Sequence, residues 1–366
     1  MRLAGISDVC LGYGSPQIGQ LVRSLCVHYQ AENLVIEPHR EESPPRHQRF
    51  PGLNIERAEM RFDPYTPPGR IEYLLEGSRL LNQYDPDILV VCCTFCLPVV
   101  FKLRKRPSIV IYYSLESIPF YGPFDMEMNR NVNDLVDLVI FPEENRAVEE
   151  VRRFGFGGVP KAVLFNCADV EAEAPEKQFA PQRNGRVIYA GTIDQVATYG
   201  SYYTKPEAGR FPIDLFGPIR AQTENQRQDF IGALSGQVRY HGYLGNEEIA
   251  EARKKYAYSI VAWNPSVENQ LYAAPNKFFE SIADGVPPIA APHPQCKMLI
   301  DRYKCGILMR DWSAGEFFSA LDRALRLYET DAWHEMVSNC ATAVRQELTW
   351  NHQFEKLKVH LRGHQN

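Results

Sequence analysis

Tyr272-Ala-Ala-Pro-Asn-Lys-Phe-Phe-Glu-Ser-Ile-Ala-Asp-Gly-Val-Pro-Pro-Ile-Ala290 is the densest signal in the chain. Asn276 is a good N-cap residue, and Phe278, Phe279, Ile282 and Ala283 recur on one face at helical spacing. Gly285 ends such a helix, and Pro287-Pro288 leads into a strand. A helix N-terminus that opens beside the end of a strand is an anion site, through its free N–H groups and its dipole. Lys277 adds an ammonium there, which suits a diphosphate. Glu280 follows one turn later, and a carboxylate can accept from two adjacent hydroxyls such as those of a ribose. Taken singly, the same residues also read as an ordinary capped helix with a solvated Lys and Glu.

Working outward, this unit sits in a repeating alternation of apolar strands and amphipathic helices. Upstream in the same half come strands at Val187–Ala190, Ile213–Phe216, Val238–Tyr240 and Ser259–Ala262, with Pro288–Ala291 closing the quoted stretch. The N-terminal half repeats the scheme. A strand at Arg2–Val9 is followed by the turn Leu11–Gly19 and a helix through Leu21, Val22, Leu25 and Cys26. Further strands are expected at Leu34–Ile36, Ile88–Cys92, Ser108–Tyr113 and Leu138–Phe141, with helices at Ile71–Leu81 and Met126–Val136. Residues 38–68 read as loop with at most one strand. Strands alternating with helices imply parallel sheets covered on both faces.

The polar, Ala/Pro-rich segment Glu171–Asn184 reads as a linker. The expected division is a domain at 1–170, a second at 171–340, and a helical tail at 341–366 that folds back across both lobes. Two doubly wound Rossmann-like domains then face a cleft, and ligands of such sheets sit at the carboxyl ends of the strands.

The length of 366 residues accommodates two domains of about 150 to 180 each. A hydrophobic fraction of 45 % and a charged fraction of 23 % are ordinary for a globular chain and exclude disorder as a description of the whole. The formal net charge of −5 argues against a broad nucleic-acid footprint. Nine cysteines, mostly within apolar runs, point to reduced thiols and a cytoplasmic setting. The apolar start breaks at Asp8, so no secretory signal is expected, and the run Ile88–Phe101 is too short to cross a bilayer. Cys93 and Cys96 form a CxxC pair without the second pair that a closed zinc site requires, so no metal is assigned.

Pro275-Asn-Lys-Phe-Phe-Glu280, followed by Ala283-Asp-Gly-Val-Pro287, resembles the PNK-x-x-E…A-x-G-x-P signature of GT-B-fold glycosyltransferases that use nucleotide sugars, closest to the family-4 type. Other stretches resemble that family in matching order. They are Tyr84–Val90, Phe165-Asn-Cys-Ala-Asp169, Val187-Ile-Tyr-Ala-Gly-Thr192, Asp214-Leu-Phe-Gly217, Val238-Arg-Tyr-His-Gly242 and Lys304–Leu308. The resemblance covers residues 84 to 310. It implies a GT-B fold with 1–170 as the acceptor-binding domain and 171–340 as the nucleotide-sugar donor-binding domain, no cofactor beyond a nucleoside-diphosphate sugar as co-substrate, and metal-independent transfer with retention. It also implies a donor site from Gly191, Thr192, His241, Gly242, Tyr243, Tyr272, Pro275, Asn276, Lys277 and Glu280.

The chain departs from that pattern at three places. Tyr272 stands where the family's first Glu falls, with Glu268 the nearest acidic residue. Thr192 stands where a phosphate-binding arginine falls, and Ser114-Leu-Glu116 replaces a loop that often carries a histidine. Lys277 is the candidate for stabilising the leaving diphosphate, and Glu116 for a general base toward the acceptor. Glu116 reads equally as a solvated loop carboxylate, and His241 equally as a hydrogen-bonded histidine in a turn. Gly12 and Gly14 are read as cleft lining by position, although glycine is ordinary in a strand-to-helix turn. Asp85-Pro-Asp87 reads as a turn cap. Lys102-Leu-Arg-Lys-Arg106 reads as a solvated loop or as a peripheral membrane contact. The expected partners are a nucleotide-sugar donor and a glycan, lipid-linked or small-molecule acceptor. Two rival functions fit the same fold: a nucleotide-sugar epimerase, and a non-catalytic nucleotide-sugar-binding subunit.

Overall fold

Uninterrupted apolar runs suit strands buried on both faces of a parallel sheet, and this chain is built on them. In the computed structural model, which describes residues 1–41, 43, 45–46, 50–170 and 183–361, Ile88–Cys92 and Ile109–Tyr113 are buried at every position. They are β4 and β5 of a seven-stranded sheet. Its other strands are β1 (Arg2–Ile6), β2 (Glu32–Pro38), β3 (Ile55–Ala58), β6 (Leu138–Phe141) and β7 (Lys161–Val163). The order is β3-β2-β1-β4-β5-β6-β7.

A six-stranded sheet follows from β8 (Val187–Ala190), β9 (Ile213–Phe216), β10 (Arg239–Tyr240), β11 (Tyr258–Val261), β12 (Pro288–Ala290) and β13 (Ile307–Leu308). Its order is β10-β9-β8-β11-β12-β13. All strand pairings in both sheets are parallel. Both units are therefore Rossmann-like, doubly wound α/β layers. The first comprises Met1–Phe165 and Phe354–Asn366, the second Asn166–Gln353. Positions 171–182 of the expected linker lie outside the described residues, as do 362–366 of the expected tail.

Each unit has its own core. Leu89, Val91, Tyr112, Phe141 and Phe156 belong to the first, and Tyr189, Ile260, Ile289, Phe317 and Trp333 to the second. Strand order reverses between β1 and β4 in one sheet and between β8 and β11 in the other. Outside the carboxyl ends of such a switch point the flanking loops part, leaving a crevice for a ligand.

Several boundaries differ from the sequence reading for local reasons. β1 stops at Ile6 because the Ser7 hydroxyl donates to the Val9 carbonyl and accepts from its N–H, at 2.9 and 3.1 Å, turning the chain. The helix expected at Met126–Val136 is instead Ile118–Tyr121 and Pro123–Arg130 with a 3-10 turn at Asn133–Leu135. Gly122, at φ 104°, separates the two pieces. The charged helix Glu144–Phe154 was not anticipated; the Glu143 carboxylate caps it by accepting from the Arg146 N–H. Asp331–Gln346 and Trp350–Leu361 are helices.

Candidate functional site

The helix Asn276–Ala283 buries Phe278, Phe279, Ile282 and Ala283, the face expected from their spacing. Its N-cap is Pro275, not Asn276, and no side chain caps it. A proline there fixes an extended φ of −76° and has no N–H of its own to satisfy. Gly285, at φ 66°, turns the chain out of the helix toward β12. Upstream, the Asn166 amide donates to the Ala274 carbonyl at 2.7 Å, fixing the approach to the helix.

Lys277 projects from the first turn to the carboxyl ends of β8 and β11. Its ammonium lies 4.1 Å from the Tyr189 ring centre and 4.4 Å from that of Trp263. Among the described residues it has no hydrogen-bond or ion-pair partner. Each ring contributes about 0.5–2 kcal/mol of cation–π attraction, less than an ammonium loses on leaving water. Burial consequently pushes the Lys277 pKa down to about 7, with Glu280 pulling the other way. Gly191 makes this placement possible. It sits at φ 145°, and a Cβ there would come within 2.7 Å of the Lys277 Nζ. Gly217 has a parallel role, since its own Cβ would meet the Gly191 carbonyl oxygen at 2.1 Å.

Trp263 is positioned by His293, which is fully buried. The His293 Nε2 accepts from the Trp263 N–H at 3.2 Å, and Nδ1 lies 3.3 Å from the Leu271 carbonyl oxygen. That pairing selects the Nδ1–H tautomer. Burial holds His293 neutral, with a pKa near 4.

Glu280, one turn on from Lys277, is partly exposed. Its Oε2 accepts from Arg253 Nη1 at 2.8 Å, and the same buried arginine gives Nε to Asp284 at 2.7 Å. The arginine therefore orients Glu280 and leaves Oε1 without a hydrogen bond among the described residues. Tyr272 ends the short helix Glu268–Leu271 and is half-buried. Thr192 is exposed, and its carbonyl accepts from the Tyr189 hydroxyl at 2.6 Å.

His241 turns back into its own sheet. Its Nε2 pairs with Asp214 Oδ1 at 2.9 Å, and its ring stacks on Phe216 at 4.8 Å. Asp214 also receives Arg186 and Tyr256. Burial would raise its pKa, but these hydrogen bonds outweigh that and hold it below the usual carboxylate range. Gly242, at φ 82°, takes the Gly217 N–H on its carbonyl, and Tyr243 is 57 % exposed. A surface cavity of about 790 Å³ lined by Asp194, Val196, Arg220 and Phe230 opens in the same unit, and none of the expected site residues lines it.

In the first unit, Gly12 needs its φ of 92°, and its carbonyl accepts from Arg46 at 3.1 Å, whereas Gly14 has open space around it. Glu116 follows β5 and is half-buried. Asp85 is the left-handed C-cap of the helix Pro67–Tyr84, and Asp87 accepts from the Arg2 N–H, as expected of a turn. Of the basic cluster, Lys105 pairs with Asp85 and Arg106 with Asp137.

The structure thus brings Gly191, Lys277, Pro275 and Asn276 together at one switch point, with Glu280 a turn away. Tyr189, Trp263 and His293 were missed. The available signal was an aromatic residue within or just beyond each of the two strands that flank the reversal.

No family model matches the chain, and no curated protein sequence matches it. Solved structures do. Sucrose-phosphate synthase from Thermosynechococcus elongatus superposes with a TM-score of 0.75 at 12 % identity, over 99 % of this chain and 98 % of that one. HepE from Anabaena in complex with UDP-glucose gives 0.71 at 13 % identity, over 99 % and 100 %. Trehalose-6-phosphate synthase, described there for glycosyl transfer with retention, gives 0.67 at 14 % identity over 99 % of both chains. At these identities the likeness is one of architecture, and it spans both units: this chain has the GT-B fold of those glycosyltransferases.

Proposed function

We propose that the chain is a glycosyltransferase moving a sugar from a nucleoside-diphosphate sugar to an acceptor hydroxyl or amine, with retention at the anomeric carbon. The observation that carries this reading is the Lys277 ammonium. It stands unpaired between two aromatic rings, at the uncapped N-terminus of a helix and outside the carboxyl ends of β8 and β11. A diphosphate is the anion that such a place favours, because N–H groups, dipole and ammonium all face it. The Anabaena neighbour was solved with UDP-glucose, which belongs to the donor class proposed here.

Negative charge grows on the leaving diphosphate as the glycosidic bond breaks. Lys277 and the helix N-terminus would meet that charge without reorganising, which is the most effective form of transition-state stabilisation. Binding a diphosphate also restores the proton that burial makes Lys277 reluctant to hold. Glu280, steadied by Arg253, would accept ribose hydroxyls through Oε1. In this scheme the charge is handled by protein groups, so transfer is proposed to be metal-independent.

A thermal-shift screen across UDP, GDP, TDP, ADP and their sugars tests the reading, since a ligand bound only by the native state raises the melting temperature. One nucleotide family should stabilise the wild type and lose its effect in Lys277→Ala plus Glu280→Gln. No shift with any of them would refute it. Interconversion of the donor sugar without an acceptor would replace transfer by epimerisation, and tight binding without turnover would leave a binding subunit.

A further inference from the structure

The loops beyond the carboxyl ends of β11, β12 and β13 converge on one side chain. His293 follows β12 and is fully buried. Parallel pairing of β11 with β12 sets Val261 opposite Ala290, and the Ala291 N–H donates to the Val261 carbonyl at 2.9 Å. The next rung of such a ladder would join the Trp263 N–H to the Ala291 carbonyl. His293 takes that place, because its own N–H turns back to the Ala291 carbonyl at 2.7 Å. The Trp263 N–H is served by His293 Nε2 instead.

A second backbone group depends on the same ring. Leu271 closes the short helix Glu268–Leu271, and the helical partner of its carbonyl would be the N–H four residues on. That residue is Pro275, which has no N–H. Nδ1–H of His293 fills the gap. A neutral imidazole donates on one side and accepts on the other, so one ring serves both groups. An apolar side chain there would strip both of their partner.

The two groups bracket the connection from β11 to the helix of Lys277. At one end Trp263 carries the ring 4.4 Å from the Lys277 Nζ. At the other, Leu271 leads through Tyr272 into Pro275 and the helix N-terminus. The imidazole also meets the rings of Trp263 and Trp312 edge to face, with centres 5.9 and 6.0 Å away. Trp312, beyond β13, is held in turn by the Tyr202 hydroxyl, which donates to its carbonyl at 3.0 Å. A ring packed and hydrogen-bonded in this way passes its placement on to its neighbours.

Resting on the donor-site reading above, we propose that His293 is a positioning residue for Lys277. By holding the Trp263 N–H and the Leu271 carbonyl at once, it fixes the lysine's cage and the entry to its helix, and turnover depends on it although it is buried away from any ligand.

Two readouts on the full chain test this: the titration of Lys277, followed by NMR of carbon-13-labelled lysine and assigned with Lys277→Met, and the release of nucleoside diphosphate from the donor sugar. In the wild type Lys277 should titrate near 7. In His293→Ala the loosened cage admits water, and the midpoint should rise by at least about one pH unit. Its kcat should fall at least about tenfold while the donor KM changes less than about threefold, the signature of a misplaced group that acts in the transition state. His293→Gln, whose amide oxygen reaches the place of Nε2 and keeps Trp263, should recover most of both. His293→Asn, whose amide nitrogen takes the place of Nδ1 and keeps only Leu271, should recover less. That pair carries the test if His293→Ala does not fold. An unmoved Lys277 midpoint in His293→Asn overturns the proposal, as do equal losses in His293→Gln and His293→Asn, which would make the histidine merely structural. A wild-type lysine titrating near 10.5 overturns it as well, since no cage would then exist. A wild type without turnover on any donor would fault the proposed function instead, and the lysine titration would still decide whether His293 sets the cage.

Discussion

Replacing Lys277 by methionine should make the protein more stable and a worse nucleotide binder, an opposition that only a functional lysine produces. In the folded chain its ammonium titrates near 7, against 10.5 for an ordinary lysine. The group therefore costs folding up to about 5 kcal/mol wherever the folded chain must carry the proton. A lowered lysine pKa favours the neutral form in the fold, so the cost is full below pH 7 and fades as pH rises toward 10.5. Methionine keeps the length and the contact with Tyr189 and Trp263 but carries no charge. Solvent reaching the partly exposed side chain and the lost cation–π attraction both reduce the gain. About 2 kcal/mol of net stabilisation at pH 6 is expected, shrinking by pH 9. Urea midpoints at the two pH values measure it, with calorimetric titration of the preferred nucleoside diphosphate on the same samples. A variant that is less stable at pH 6 and binds nucleotide like the wild type would refute the reasoning, because Lys277 would then be a structural cation.

Asp8→Asn should show a pH-dependent gain of its own. A pKa raised from 3.8 to about 6 means stability present at low pH and lost as pH rises through 6, so the variant should gain up to about 3 kcal/mol at pH 8 and almost nothing at pH 3. His293 has the opposite shift: its neutral form is kept to about pH 4, so stability present above 6.5 is lost as pH falls through 4, by about 3 kcal/mol. Acid titration of the melting temperature should show that loss in the wild type and not in His293→Asn. Gly191→Ala places a methyl 2.7 Å from the ammonium and should weaken nucleotide binding, read by calorimetry, without unfolding the chain. Glu280→Gln should lower donor affinity with little change in melting temperature; unchanged affinity would remove Glu280 from the site.

The fold was legible because parallel strands buried on both faces must be apolar throughout, and Ile88–Cys92, Ile109–Tyr113 and Val187–Ala190 are. Their order in the sheet was not legible, since an apolar run does not say which strands it lies between. Lys277 was legible because it occupies the first turn of a well-marked helix. Its cage was not: Tyr189 and Trp263 come from strands separated in sequence, and only the crossover places them beside one ammonium. Asp8 escaped for a similar reason. It reads as the polar residue that interrupts an apolar start, and its carboxylate is buried, with Oδ1 unserved, only once β4 and the loop at Tyr121 close over it. His241 shows the reverse limit, a residue whose neighbourhood in sequence suggested the nucleotide but whose ring is committed to Asp214 and Phe216.

The most direct measurement is the release of nucleoside diphosphate from the donor sugar by wild type and Lys277→Ala, with donor affinity taken by calorimetry on both. Losing one preorganised charge contact at the leaving group commonly costs about 3–4 kcal/mol, or 10²–10³ in rate. Lys277→Ala should therefore turn over at least about a hundredfold more slowly while binding the free nucleoside diphosphate within about tenfold of the wild type, a difference of roughly 1.4 kcal/mol. Lys277→Arg should recover part of the rate, because a planar fork replaces a point charge. Full turnover by Lys277→Ala would contradict the account and leave the fold without the mechanism.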